Sequence, residues 1–280
     1  MGFIINPYQV QPSVPAFTGI LDTYTGAAVA YSAARRLATA YTGALIRVRR
    51  SSDNAEQDIG YDGSNVLDES ALTTFVGVND GFVTTVYDQS GNGKNATQTT
   101  AGNQHRIVSS GTIEKDGGKP CLNTLTRPPM SFTTADYKNA ITIAKVDTQK
   151  LINYLVGLTG PYNYGTFYNG SYGGIDGIGA YDSTNTRSLT GEDLNRHLGW
   201  LQMKSGNLYA AKDGASESNL GTFTPPPYTS YAQANELGGR SSSSVLYFQG
   251  KIQEIILYNS DQTSNKTGLE SNINTFYSIY

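Results

Sequence analysis

The sequence predicts an all-β sandwich with a few short helices, one of them near residue 280. Three observations carry this prediction. Beyond residue 107, short strand-like segments recur between Gly, Asn and Asp turns, the rhythm of an antiparallel sandwich. Helical periodicity occurs only in short isolated segments, which argues against a parallel βαβ plan. The composition, with 31 Gly, 20 Tyr and 15% charged residues, suits many turns and half-wet aromatic surfaces.

Taken in order, residues 1–17 carry Pro7, Pro12 and Pro15, which oppose regular structure. They read as an extended arm with an apolar tip at Phe3, Ile4, Ile5 and Tyr8, poised to dock on a neighbouring subunit, or else as a tail. Residues 18–280 read as one domain, since no linker interrupts them. Ala27 to Ala40 predicts a helix, because Ala30, Ala33, Ala34, Leu37 and Tyr41 share a face at helical spacing. Leu45 to Arg50 alternates as a strand and stops at Ser51 to Asn54. Asp68 is placed to cap a short helix through Ala71, Leu72 and Phe75. Phe82 to Asp88 is a strand that runs into the Asn92-Gly93 turn signal. Further strands are predicted at Ile107–Val108, Ile141–Val146, Leu151–Leu158, Gly165–Tyr168, Ile178–Tyr181, Arg196–Gln202, Asn207–Lys212, Ala234–Leu237, Leu246–Phe248 and Gly250–Tyr258. Leu269, Ile273, Phe276 and Tyr280 form the stripe of a closing helix, with Asp261 as its N-cap.

The stretches ALIRVRRSSDNAEQDIG and YDQSGNGKNATQ together resemble the catalytic domain of B-type α-L-arabinofuranosidases over residues 24–107, with a weaker echo over Glu236–Gln262. That resemblance implies a concanavalin/laminin-G-like jelly-roll. The same stretches, with the start MGFIINPY and the segment IQEIILYNSDQTSNKTGLESNINTFYSIY, also resemble bacteriophage virion proteins, which carry the sandwich as a non-enzymatic module.

Several classes are disfavoured by composition. The net charge is −3 and no basic run exceeds Arg47-Val48-Arg49-Arg50, so no nucleic-acid partner is expected. No run of ~18 apolar residues is present, so no membrane insertion is expected. Residues 1–14 lack a basic n-region and an apolar core, so no signal peptide is predicted. Cys121 stands alone, so no internal disulfide can form, and the vicinal Cys pair that the arabinofuranosidase resemblance implies has no counterpart.

Glycoside hydrolysis by a retaining route needs two carboxyl groups ~5–5.5 Å apart. The resemblance implies an acid/base aspartate directly after a Gly-Gly pair; here Gly238-Gly239 is followed by Arg240, which stays charged and cannot shuttle a proton. The implied glutamate nucleophile falls near Ile178 to Asp182. No family-type catalytic residue is therefore expected, and Asp182 and Glu236 are the candidates if the chain is an enzyme. Tyr162, Tyr164, Tyr168, Tyr172 and Asp176 form a tyrosine-glycine stretch that suits sugar stacking, or alternatively covers a sheet edge or subunit interface. Asp88 to Asn95 reads as an Asx-held turn rather than a calcium loop, and Arg47, Arg49 and Arg50 as an ion-paired strand edge with Asp53, Glu56 and Asp58. His105 and His197 lack partners at metal spacing, so no metal or cofactor is proposed.

These readings together predict a bacteriophage virion structural protein, a spike, fibre or decoration subunit located in the virion. It would be a homo-oligomer joined to other virion subunits by its arm, with host cell-surface polysaccharide as ligand. A glycoside hydrolase of the α-L-arabinofuranosidase type and a ligand-free capsid-lattice protein are the alternatives.

Overall fold

The computed structural model describes residues 16–125, 127–133, 138–147, 152–158, 164–172, 175–182, 186–190, 193–223, 235–239 and 247–280. The predicted arm at Phe3, Ile4, Ile5 and Tyr8 lies outside them.

The elements run in this order. α1 (Ile20–Thr23) precedes β1 (Ala27–Ser32), β2 (Ile46–Arg50) and β3 (Glu56–Ile59). α2 (Glu69–Val76) leads to β4 (Gly81–Val86), β5 (Ala96–Thr97) and β6 (His105–Ser109). Short strands follow: β7 (Thr112–Ile113), β8 (Lys115–Asp116), β9 (Lys119–Pro120), β10 (Leu122–Asn123) and β11 (Met130–Phe132). The long strands are β12 (Asn139–Val146), β13 (Ile152–Leu158), β14 (Tyr164–Tyr172), β15 (Ile175–Asp182), β16 (Thr186–Thr190), β17 (Arg196–Lys204), β18 (Asn207–Lys212) and β19 (Ser218–Thr222). β20 (Asn235–Leu237), β21 (Gly250–Tyr258) and α3 (Lys266–Tyr277) complete the fold.

One antiparallel network folds over into two layers. The first runs β3-β2-β4-β5-β11-β20-β13-β14-β15-β16. The second runs β1-β21-β12-β17-β18-β19. At β4 the network forks, because β6 continues through β10 to β21 and ties the layers together. Ile46, Val48, Val83, Leu237, Ala140, Ala144 and Leu257 fill the space between the layers. A second core lies behind β21, β12 and β17, where Ile141, Ile143, Trp200, Ile256 and Tyr258 meet Leu269, Ile273 and Tyr277 of α3. β1, β21, β12 and β17 are thus buried on both faces, which is why they read as apolar runs rather than alternations, whereas β19 is largely exposed.

The helix predicted over residues 27–40 is not formed. Ala27–Ser32 is instead strand β1, paired antiparallel with β21 from Ala27↔Tyr258 to Ser32↔Glu254. Both of its faces are buried: Val29 and Tyr31 enter the first core and Ala30 the second. A strand covered on both sides needs small residues where α3 and α1 approach, so an alanine pattern suits it as well as it suits a helix. Tertiary pairing outweighs the weak local propensity.

The two other predicted helices are present. Asp68 accepts the Ala71 N–H at 2.8 Å and caps α2. α3 begins five residues after Asp261, which instead holds the preceding turn by accepting from the N–H and hydroxyl of Thr263. The buried stripe of α3 is Leu269, Ile273 and Tyr277, with Phe276 partly covered and Tyr280 55% exposed. Near the predicted Leu246–Phe248 strand, Phe248 is a buried plug outside any strand, and its N–H donates to the Gly238 carbonyl.

Candidate functional site

The motif richest in turn signals is structural. The Asp88 carboxylate accepts the N–H groups of Ala30 (3.0 Å), Ser90 (2.9 Å) and Lys94 (3.0 Å) and the Ser90 hydroxyl (2.8 Å). Gln89 accepts from Leu37 N–H and donates to the Arg35 carbonyl, and Asn92 donates to the Ala27 carbonyl. Gly91 and Gly93 take left-handed φ values of 89° and 69° to let the loop close. The YDQSGNG loop therefore bolts β1 to the first layer, the Asx-held turn that the sequence predicts. The ion-paired edge is also present: Arg47 meets Glu56 (2.7 Å) and Asp58 (3.1 Å), and Arg50 meets Asp53 (2.6 Å). Arg49 differs, because it bonds the neutral Gln104 and Asn54 side chains.

The outward face of the first layer carries a continuous polar row. Arg47 pairs with Thr85, Thr85 with Thr97, Thr97 with Ser131, Ser131 with Glu236, and Glu236 with Gly157. Their strand neighbours Ile46, Val48, Val86, Ala96, Met130 and Leu237 are in the core, so the row belongs to the opposite face. Thr97 and Ser131 are exposed, whereas Glu236 is only 1% exposed. From Thr85 to Glu236 the row spans three strand spacings, about 14 Å, long enough to lie along an oligosaccharide. About 7 Å further along the strands lies a second row, Arg49, Phe82 and Arg106. Here Arg49 and Arg127 stack 5.1 Å and 4.7 Å from the centre of the Phe82 ring. Burial and the charges of Arg106 and Arg49 pull the Arg127 guanidinium below its ordinary pKa.

Beneath this face, His105 fixes the Gly-Gly turn that leads to position 240. A Cβ on Gly238 would stand 2.6 Å from His105 Cε1, and Gly238 has φ +84°. His105 is fully buried, and neither ring nitrogen meets hydrogen-bond geometry. Burial, reinforced by Arg127 and opposed by the Pro128 backbone, lowers its pKa to about 4. A folded pKa below the unfolded value of ~6.5 means that the unfolded chain binds the proton first as pH falls. The stability that neutral His105 contributes is intact above pH ~6.5 and is lost down to about pH 4. Urea unfolding should therefore show about 2 kcal/mol less stability at pH 5 than at pH 7 from this residue. A His105→Gln variant should lose that part of the difference; an unchanged pH dependence would assign it elsewhere.

The other predicted site residues are placed as follows. Tyr162 lies outside the described residues. Tyr164, Tyr168 and Tyr172 are on β14 and Asp176 on β15, with Tyr168 opposite Gly179 and Ser171 opposite Asp176. β14 is paired on both sides, so it is not a sheet edge. Asp182, at the end of β15, is separated from Glu236 by three strand spacings, about 14 Å. The register thus does not bring these two acids to the ~5–5.5 Å of a retaining pair. His197 is held between Asp213 (2.7 Å) and Asp193 (2.8 Å). Asp213 sits just beyond β18, so nothing at metal-like sequence spacing announces it. The Asn195 N–H and the imidazole hold Asp193 down to about 2. Among the described residues no group of three or more His, Cys, Asp or Glu side chains is arranged to hold a metal ion, and no helix is long and apolar enough to cross a membrane.

Comparison with known proteins concentrates on the scaffold. Residues 21–118 match the family model "Alpha-L-arabinofuranosidase B, catalytic". A probable α-L-arabinofuranosidase B of Aspergillus flavus is 36% identical over 88 residues, 31% of this chain and 17% of the relative. An α-L-arabinofuranosidase of Hypocrea jecorina is 38% identical over 78 residues, 28% of this chain and 16% of the relative. The match thus spans about a sixth of these relatives' length. A crystal structure of an arabinofuranosidase complexed with arabinofuranosyl-α-1,2-xylobiose superposes with a TM-score of 0.64 at 20% identity, over 91% of this chain and 64% of that one. A GH54 α-L-arabinofuranosidase soaked with a cyclic sulfate inhibitor gives 0.60 at 16% identity over the same shares, 91% and 64%. At such identities the superposition establishes the β-sandwich and no more.

These findings overturn the virion reading, and with it the capsid, spike, fibre and host-attachment roles and the virion location. The curated relatives found are fungal arabinofuranosidases. β2 and the Asp88 loop hold the sandwich together, so they identify the scaffold and cannot by themselves separate its users.

Proposed function

We propose that this chain is a glycoside hydrolase of the α-L-arabinofuranosidase type, with the outward face of the first layer as its substrate seat. The observation that carries this reading is the match of residues 21–118 to the arabinofuranosidase B catalytic domain. Glu236 is the candidate acid on this face, whose carboxylates Asp58 and Glu56 are ion-paired with Arg47. It is buried between its strand partners Ser131 and Gly157. The hydroxyls of Thr97 and Ser131 extend the seat away from Glu236, and the Arg49–Phe82–Arg127 stack borders it.

The purified chain should release nitrophenol from 4-nitrophenyl α-L-arabinofuranoside, and Glu236→Gln should lower kcat/KM by about 10²-fold, the order expected when one acid–base group is removed. Unchanged turnover in that variant would remove Glu236 from the site. No turnover in the unsubstituted chain would sink the hydrolase reading. Arg240 after Gly238-Gly239 favours a second reading, arabinofuranoside binding without turnover, because a guanidinium cannot exchange a proton at neutral pH. Calorimetric binding of the same glycoside with no nitrophenol release would select it.

A further inference from the structure

We propose that the cleft between α3 and the turn joining β18 to β19 is a second binding site, which takes a neutral oligosaccharide. The cleft is about 650 Å³ and includes Gly214, Ser216, Glu217, Lys266, Glu270 and Tyr280 in its lining. Its decisive feature is Glu270, which is 3% exposed. Lys266 Nζ binds Glu270 Oε2 at 2.5 Å, but Oε1 is buried with no hydrogen-bond partner. A buried acceptor left unmade costs free energy that a donor entering the cleft would recover.

The surroundings define the donor. Glu217 is already occupied, accepting from Trp200 Nε1 at 2.8 Å and from Lys204 Nζ at 2.5 Å. Each carboxylate therefore has its own ammonium partner, so the cleft does not call for a cation. The orphan atom is an acceptor, so it does not call for an anion. A neutral hydroxyl is the donor that fits.

Tyr280 supplies the other half of sugar recognition. The residue is 55% exposed, yet it is fixed in place. Asn274 Oδ1 accepts the N–H groups of Ile279 (2.7 Å) and Tyr280 (3.1 Å), and Asn274 Nδ2 donates to the Tyr280 carbonyl at 2.8 Å. The ring is seated over Gly214, where an added Cβ would meet Tyr280 Cζ at 2.6 Å and where φ is +77°. A pinned aromatic face beside an unmade acceptor is a stacking platform for a sugar ring, at little ordering cost.

The choice of an arabinose-based probe rests on the function proposed above. Binding is therefore measured by calorimetry in the full chain carrying Ser131→Trp, which blocks the sheet face. Arabinotriose should bind saturably. Tyr280→Ala should weaken it about tenfold, and Ser216→Trp, at an exposed position, should abolish it without changing the melting temperature. No saturable binding, or binding that survives both substitutions, would overturn the proposal. Equally tight binding of trigalacturonate would overturn the neutral-ligand part. If the blocked chain binds arabinotriose while the unsubstituted chain hydrolyses nothing, the hydrolase reading fails and the cleft stands.

Discussion

Replacing Glu254 by Ala should lower the unfolding free energy by about 3–5 kcal/mol, because it leaves a buried guanidinium without its counter-charge. Arg35 binds Glu254 through both carboxylate oxygens, at 2.8 Å and 2.7 Å, and the two side chains are 9% and 1% exposed. The pair also draws in α3. Arg35 donates to Asn272 Oδ1 at 2.9 Å, and the Tyr277 hydroxyl donates to Glu254 at 3.0 Å. The segment after β1, strand β21 and helix α3 thus share one polar knot between apolar cores. Urea unfolding of Glu254→Ala, Arg35→Ala and the double variant Arg35→Met with Glu254→Leu distinguishes the terms. The double variant should recover most of the loss, since a buried pair exchanged for apolar groups of similar volume is often neutral. A loss below ~1 kcal/mol for the single changes would mean that the knot is solvated.

Trp200→Ala should cost a comparable ~3–5 kcal/mol, the range for truncating a large buried aromatic. Trp200 is 0% exposed and sits at the centre of the second core, between the second layer and α3. Its Nε1–H also holds Glu217 in the wall of the cleft, and Lys266 lies 5.6 Å from its ring centre. Trp200→Phe keeps most of the volume and loses the hydrogen bond, so it should cost less than half as much. Chemical denaturation of the two variants checks the order, and equal losses would assign the effect to the hydrogen bond alone.

These two sites differ in how far the sequence announces them. Trp200 falls in the strand that the sequence predicts over Arg196–Gln202. The Arg35–Glu254 pair joins positions 219 residues apart, and no local pattern connects them. Glu236 is a candidate by sequence, but its place in a polar row depends on β20 lying between β11 and β13. The cleft at Glu270 has no local sequence signal, because its wall is shared between α3 and a hairpin turn.

The strand-and-turn rhythm, the Asp88 turn, the Asp68 cap and the closing helix are legible from the residues alone. Each of these depends on residues a few positions apart, where hydrogen-bonding reach and periodicity act directly. Long-range packing makes residues 27–32 a strand, sets Glu236 three strand spacings from Asp182, and requires Gly238 to lie bare against His105. A helix and a strand buried on both faces can carry the same alanine pattern. What separates them is the pairing of Ala27 with Tyr258, a contact between residues far apart in the chain that no local propensity encodes.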